Sequence, residues 1–192
     1  MRLFVAIDLS TDLRAKLRDQ ITVLQDFLDT KSVRWVNPDS VHLTLKFLGE
    51  TPSHRLGEII QTIEPIAADH SIFEMEVGGF GCFPNIKKPR VLWTGISEQS
   101  GVLQKLKSEL ELGCRKLGYE AENRPFKPHL TLGRVRRQAR SAERRELAEK
   151  LVDVSIGDLG IEKVDAFYLF KSDLKPTGAV YTKQATFQLV GD

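Results

Sequence analysis

Hydrophobic and polar positions repeat along this chain with two periods, and these periods predict most of its secondary structure. Alternating runs rich in β-branched and aromatic residues predict strands, whereas apolar residues spaced by three and four predict amphipathic helices. The predicted strands are 3–7, 33–36, 42–48, 73–77, 91–96, 129–132, 164–170 and 180–189. The predicted helices are 12–28, one beginning at Thr51 and Pro52, 100–117 and 142–151. Helices set between groups of strands are typical of an α+β fold with antiparallel sheets.

Two further segments are predicted as connections. A glycine- and proline-rich stretch, residues 78–89, separates two predicted strands, and residues 175–178 predict a turn between the last two strands.

One tetrapeptide, His-Leu-Thr-Leu, occurs twice, at residues 42–45 and 129–132. Residues i and i+2 of a strand share a face, so His42 lies beside Thr44 and His129 beside Thr131, while the leucines face the core. The spacing of 87 residues between the copies predicts two similar lobes within one domain, residues 1–192, rather than a solenoid. If a pseudo-two-fold axis relates the lobes, both pairs converge on a central cleft lined by the sheets, with the helices packed outside.

Two histidines at one cleft are suited to general acid–base chemistry. Imidazole has an ordinary pKa near 6.5 and can donate or accept a proton near neutral pH. The threonine hydroxyls beside them can donate hydrogen bonds to a bound substrate. A metal site is the chemical rival, but neither motif brings Asp or Glu at ligand spacing, and no metal is required.

Four residues that follow or precede the motifs are secondary candidates. Strict alternation puts Lys46 beside the first histidine, where it either contacts the substrate or, as we favour, stays an exposed lysine. Alternation puts Phe47 on the core side. It puts Arg134 on the face opposite the second histidine, unless Gly133 permits a bulge that redirects it. Phe126 either stacks on a base or, as we favour, packs in the core.

The remaining histidines and the cysteines carry little functional weight. His54 and His70 are predicted to be surface residues. Cys82 and Cys114 lie far apart and outside any CxxC pattern, which disfavours a disulfide framework or zinc site. No apolar run approaches the roughly 20 residues that span a bilayer. These features predict a cytoplasmic protein.

Net charge is only +2 over 192 residues, but arginines cluster after the second motif, at 134, 136, 137, 140, 144 and 145. One interpretation is a solvated helix face, because glutamates are interleaved with these arginines. The other is a basic rim that attracts a phosphate-rich ligand.

The flanks of both motifs resemble one family. The segment 42–50, the segment 128–134, the N-terminal segment 2–7 and the tail from Leu169 through Ser172, Pro176 and Gly178 to Tyr181 are similar to those of the 2H phosphoesterase superfamily. Within it, they resemble the RNA 2′,3′-cyclic phosphodiesterases, also called 2′-5′ RNA ligases. The resemblance covers essentially the whole chain.

The resemblance implies a metal-free enzyme without a cofactor, in which His42 donates a proton and His129 accepts one. It implies that Thr44, Thr131 and Arg134 bind substrate, and that an RNA ending in a 2′,3′-cyclic phosphate is left with a 2′-phosphate. It also implies reverse 2′-5′ ligation as a minor activity. A monomer is expected, since nothing in the sequence indicates an obligate dimer. Two alternatives stay open: a non-catalytic RNA-end or nucleotide-binding module, and a 2H enzyme for a small cyclic nucleotide or ADP-ribose cyclic phosphate.

Overall fold

The computed structural model describes residues 1–175 and 178–191, and these residues form nine strands and four helices. The strands are β1 (Arg2–Ile7), β2 (Val33–Trp35), β3 (Leu43–Glu50), β4 (Phe73–Phe83), β5 (Val91–Ser97), β6 (His129–Val135), β7 (Asp158–Val164), β8 (Ala166–Lys175) and β9 (Gly178–Gln188). The helices are α1 (Thr11–Leu28), α2 (Leu56–Ala68), α3 (Val102–Lys116) and α4 (Ser141–Leu151). Pro176 and Thr177 of the predicted turn lie outside the described residues.

The strands form two antiparallel sheets, which confirms the predicted α+β class. The first sheet has the order β3-β1-β8-β9, and the second has the order β2-β6-β5-β4-β7. Each half of the chain contributes one strand–helix–strand unit whose two strands pair: β1, α1 and β3, then β5, α3 and β6. Each motif strand therefore lies beside the strand that opens its unit, although β3 is at the edge of its sheet and β6 also pairs with β2.

Strands from the two halves of the chain also pair with each other in both sheets. Strand β2 from the first half pairs with β6, and β8 from the second half pairs with β1. The backbone N–H of Val36 extends the first contact by donating to the carbonyl of Leu132, 3.0 Å away. The segment that leads to the first motif is thus bonded directly to the second motif.

The main hydrophobic core takes residues from both halves. Helix α1 buries the predicted stripe, which consists of Leu13, Leu17, Ile21, Leu24 and Leu28. The leucines of both motifs are 0–1% exposed and lie in the core with residues of α2 and α3. The Ser10 side chain accepts a hydrogen bond from the backbone N–H of Leu13, as expected of a helix N-cap.

Helix α2 starts later than the sequence predicts. Residues Ser53–Arg55 form a short 3-10 turn, and the α-helix begins at Leu56. Thr51 is buried and its N–H donates to the carbonyl of Met1 at 2.8 Å, so it closes the first sheet instead of capping the helix.

At the other end of α2, His70 is buried rather than on the surface, with 3% exposure. Its Nδ1–H donates to the carbonyl of Ile66 at 2.8 Å, and its Nε2 lies 3.7 Å from a carboxylate oxygen of Glu109 on α3. Packing between helices, which local sequence does not reveal, overrides the surface prediction. His54 is exposed, as predicted.

Strand β4 extends to Phe83, into the first part of the glycine- and proline-rich stretch 78–89 that the sequence predicts as a connection. A Cβ atom on Gly81 would lie 2.2 Å from the indole of Trp93, so glycine makes room for that ring on the neighbouring strand β5. The low strand propensity of glycine conceals this element in the sequence. No described helix is both long enough and apolar enough to cross a membrane.

Candidate active site

The first histidine stands directly before β3. His42 Nδ1–H donates to the carbonyl of Ser40, 3.0 Å away. Its ring stacks on Phe4 with a centroid separation of 4.7 Å and lies edge-to-face with Tyr181 at 5.1 Å. A carbonyl only accepts hydrogen bonds, so Nδ1 keeps a proton in the neutral ring. Nε2 is therefore the nitrogen that can exchange a proton.

The second histidine repeats this arrangement at the start of β6. His129 Nδ1–H donates to the carbonyl of Lys127 at 2.7 Å, again two residues earlier in the chain. Its ring is edge-to-face with Phe83 at 4.8 Å and lies 6.0 Å from Trp93. Both motif histidines consequently share one tautomer, with Nε2 left for chemistry.

A bulge interrupts the alternation of β3. Leu45 is skipped in the pairing, so that Thr44 and Lys46 pair with consecutive residues of β1. Lys46 therefore turns into the core, where it is 3% exposed, and Phe47 turns onto the open face with 63% exposure. The predictions of an exposed Lys46 and a core Phe47 are both wrong. Thr44, before the bulge, is half-buried between the buried leucines, on the expected face.

Strand β6 contains the same bulge. Leu132 is skipped, and Thr131 and Gly133 pair with consecutive residues of β5. The exposed Arg134 thereby returns to the face of Thr131 and His129. Of the two interpretations that the sequence leaves open, the redirecting bulge is the one found.

The repeated bulge gives each motif a third residue on the face of its histidine, after the histidine and the threonine. Phe47 occupies this place in the first half, and Arg134 occupies it in the second. The two motif faces thus have matching histidines and threonines, but an aromatic ring on one face and a guanidinium on the other.

Lys46 links the first motif strand to the second half of the chain. Its ammonium donates to a carboxylate oxygen of Glu111 on α3 and to the carbonyl of Glu120, both at 2.6 Å. The other oxygen of Glu111 accepts from Lys107 at 2.6 Å. This buried cluster lies on the reverse side of the sheet from the histidine, so Lys46 is removed from the candidate phosphate ligands.

Burial lowers the pKa of both motif histidines and is the largest cause in each. The carbonyl of Ser40 and the carboxylate of Asp8 act in the opposite direction on His42, where Arg14 adds a smaller decrease. For His129, the carbonyl of Lys127 opposes the decrease, whereas the guanidinium of Arg134 adds to it. Both rings are therefore predominantly neutral at pH 7 before a substrate arrives.

A cavity of about 350 Å³ opens beside His42. Its charged lining consists of Asp8, Arg14, Asp39 and Lys183. The sequence interpretation overlooks these residues. The available signal is that Asp8 continues the alternation of Phe4 and Ala6, which places it on the face of β1 that meets His42.

Two of the tail residues that resemble the family, Ser172 on β8 and Tyr181 on β9, pair with each other, and Tyr181 touches His42. Phe126 is partly buried against the main core, which confirms the favoured interpretation. Its ring lies 5.9 Å from the ammonium of Lys107.

The arginine cluster is largely engaged with its surroundings. Arg140 pairs with Glu143 and Arg145 with Glu149 along α4. Arg144 donates to three backbone carbonyls before the helix. These bonds agree with the solvated-face interpretation for α4.

In comparisons with known proteins, one family matches each half of the chain. The sequence profile of the family described as LigT like Phosphoesterase matches residues 12–93 and again residues 95–181. An RNA 2′,3′-cyclic phosphodiesterase of Methanothermobacter thermautotrophicus is 32% identical over 191 residues, with 98% of this chain and 99% of the relative covered. The crystal structure of TT0787 of Thermus thermophilus superposes with a TM-score of 0.82 and 31% identity over 100% of both chains. Escherichia coli LigT complexed with 3′-AMP gives a TM-score of 0.73 and 27% identity, covering 98% of this chain and 97% of that one.

Proposed function

Because this chain belongs to the family of LigT-like phosphoesterases, we propose that it is an RNA 2′,3′-cyclic phosphodiesterase. It hydrolyses a terminal 2′,3′-cyclic phosphate to a 2′-phosphomonoester. The observation that carries this function is the matched pair of histidines, each fixed by the carbonyl two residues earlier so that Nε2 is left for proton transfer. A module that only binds RNA ends has no need of two such groups.

In the proposed reaction, the oxygen of water attacks phosphorus and the bond from phosphorus to the ribose 3′-oxygen breaks. Nε2 of His129 takes the proton of the attacking water, and Nε2 of His42 gives its proton to the leaving 3′-oxygen. Thr44 and Thr131 donate hydrogen bonds to the non-bridging oxygens, where negative charge accumulates. Exchange with solvent then restores the starting protonation of both rings.

The proposal extends to the state of the protein. We take residues 1–192 as one two-lobed domain that acts as a monomer, supported by the core shared between the halves. A cytoplasmic location is supported by Cys82 and Cys114, which are both free. Burial raises the pKa of each thiol to about 11, which keeps both unreactive.

The direct test is to incubate the protein, in EDTA, with a short RNA ending in a 2′,3′-cyclic phosphate. We expect a product with a 2′-phosphate, identified by mass and by ³¹P NMR, that the His42→Ala protein does not form. Binding of the RNA without conversion would indicate an RNA-end-binding module. Conversion of a cyclic mononucleotide or ADP-ribose cyclic phosphate, but not of RNA, would indicate a different substrate for the same chemistry.

The lowered pKa values predict an acidic optimum. The free enzyme needs one histidine protonated and the other neutral, so kcat/KM follows a bell whose two limbs report the two rings. Since burial lowers both pKa values, we expect the maximum below about pH 6.5. A pH–rate profile of kcat/KM measures this, and a maximum above pH 7 would contradict the burial argument.

Arg134 is proposed to bind the phosphate from the His129 side. Replacing it with Gln is expected to raise KM for the cyclic-phosphate RNA about tenfold, because a charge-assisted contact is lost. The pKa of His129, followed by NMR, should rise at the same time, because the nearby positive charge is gone. Arg145→Gln, which removes an exposed arginine from α4, is the control and should change neither value.

A further inference from the structure

The register of the first sheet brings a carboxylate to the first histidine. Strands β1 and β3 are antiparallel, and their last pair joins Ile7 to Leu43. One residue further along this register, Asp8 stands opposite His42. Directly opposed residues of an antiparallel pair have Cβ atoms about 4.5–5.5 Å apart. Asp8 and His42 also line the same cavity of about 350 Å³.

Among residues 1–175 and 178–191, the second motif has no counterpart of this carboxylate. Gly95 is the residue of β5 that pairs with His129. The charged neighbour on that side is Arg134, in the place that Phe47 takes in the first half. One histidine therefore lies beside an anion and the other beside a cation, although the two tetrapeptides are identical.

Asp8 is held firmly in the charged form. Its Oδ2 accepts a hydrogen bond from the ammonium of Lys183 at 2.7 Å, and its Oδ1 accepts one from Arg14. Burial raises the pKa of Asp8, but these two cations outweigh burial and bring the pKa below its usual value. Asp8 is thus a fixed negative charge across the pH range in which the histidines titrate.

Several other groups face the same cavity as His42 and Asp8. Those with polar or charged side chains are Arg14 from α1, Asp39 and Ser40 from the turn before the motif, and Tyr181 and Lys183 from β9. Asp39 is exposed and bonded to Arg18 at 2.8 Å, so water screens much of its charge. Arg14 opposes protonation of His42, and Asp8, whose charge is partly neutralised by Lys183, acts in the opposite direction.

We infer that Asp8 is a positioning residue that raises the proton affinity of His42 relative to that of His129 and thereby makes His42, rather than His129, the proton donor. The negative charge stabilises the imidazolium form of His42, while Arg134 destabilises that form of His129. The inference rests on the proposed function, because it assigns directions to a proton transfer between these two rings and the substrate. It gives a structural reason why His42 and His129 have different roles, which the two identical tetrapeptides do not explain.

The test uses two variants that break the same ion pair from opposite ends. Asp8→Asn is expected to lower the pKa of His42 by about one pH unit, because it removes the anion. Lys183→Met is expected to raise that pKa, because it leaves the anion less neutralised. Both pKa values are read from the C2–H resonance of His42 in an NMR titration. The alkaline limb of the kcat/KM profile should move with them, so that Asp8→Asn loses about tenfold at pH 8.

The opposite signs separate an electrostatic role from a structural one. If the ion pair only held β1 and β9 together, both variants would move the pKa of His42 in the same direction. That result, or an unchanged pKa in Asp8→Asn, would overturn the inference. Asp39→Asn is the matched control, a carboxylate of the same cavity that is out of register with His42, and should leave the pKa unchanged. The titration needs no turnover, so it can fail while wild-type RNA hydrolysis succeeds, and the reverse also holds.

Discussion

Alanine in place of His42 or His129 is expected to lower kcat/KM for an RNA with a cyclic-phosphate end by roughly 10³-fold. Each variant removes one of the two proton-transfer groups, and the remaining ring cannot serve as acid and base on opposite sides of one phosphorus. The double variant should fall little below either single variant, because the two rings act as a unit. Steady-state kinetics with the purified variants measures all three values.

The matched control is His54→Ala, which removes an exposed histidine from the turn before α2 and should retain full activity. Circular dichroism should show that the active-site variants stay folded, since both rings lie on an open face outside the main core. Each single variant should also lose one limb of the pH profile. A His42 or His129 variant with activity within tenfold of the wild type would contradict paired acid–base catalysis.

Replacing Lys46 with Met is expected to destabilise the protein by about 3 kcal/mol. The side chain of Lys46 is 2% exposed, and its removal leaves the carbonyl of Glu120 without this donor and Glu111 without one of its two cations. Met keeps most of the volume, so the loss reports the ionic contacts rather than a cavity. Chemical denaturation at pH 7 gives the free energy of unfolding.

The control for this variant is Lys105→Met on the same helix as Glu111. Lys105 pairs with Glu109 on the surface with 64% exposure, and its loss should cost less than about 0.5 kcal/mol. An equal effect of the two substitutions would show that burial of Lys46 contributes nothing.

The effect of Lys46→Met should also depend on pH. Burial raises the pKa of Glu111, but the hydrogen bonds from Lys107 and Lys46 lower it. The pKa of Glu111 therefore lies below its usual value. A carboxyl with a lowered folded pKa stabilises the protein above its unfolded pKa, and this contribution is lost as the pH falls. The difference in unfolding free energy between wild type and variant should therefore shrink from pH 7 toward pH 3.

Local periodicity was sufficient for the parts of this molecule that obey it. Helix α1 buries the five residues of its predicted stripe, and the leucines of both motifs lie in the core because the alternation before each bulge is regular. The faces of His42, Thr44, His129 and Thr131 follow from the same rule. These features depend on neighbours within a few positions, which a single sequence displays.

Features that depend on pairing between distant segments could not be predicted from local periodicity. A bulge is a mismatch between two strands, so neither β3 nor β6 alone reveals that Lys46 turns inward and Phe47 outward. Gly133 suggested that Arg134 could be redirected, but no comparable signal follows the first motif. The role of Asp8 likewise requires the register of β1 against β3.

The order of strands in the first sheet has a consequence for how the protein is made. Strand β1 pairs with β8, so partners from opposite ends of the described chain must meet before this sheet is complete. Around His129, by contrast, β4, β5 and β6 follow one another in sequence and can assemble early. Phe170 and Tyr181, which surround His42, leave the ribosome late. The surroundings of His42 can therefore be completed only after β9 has been synthesised, whereas the strands that pair around His129 are available earlier.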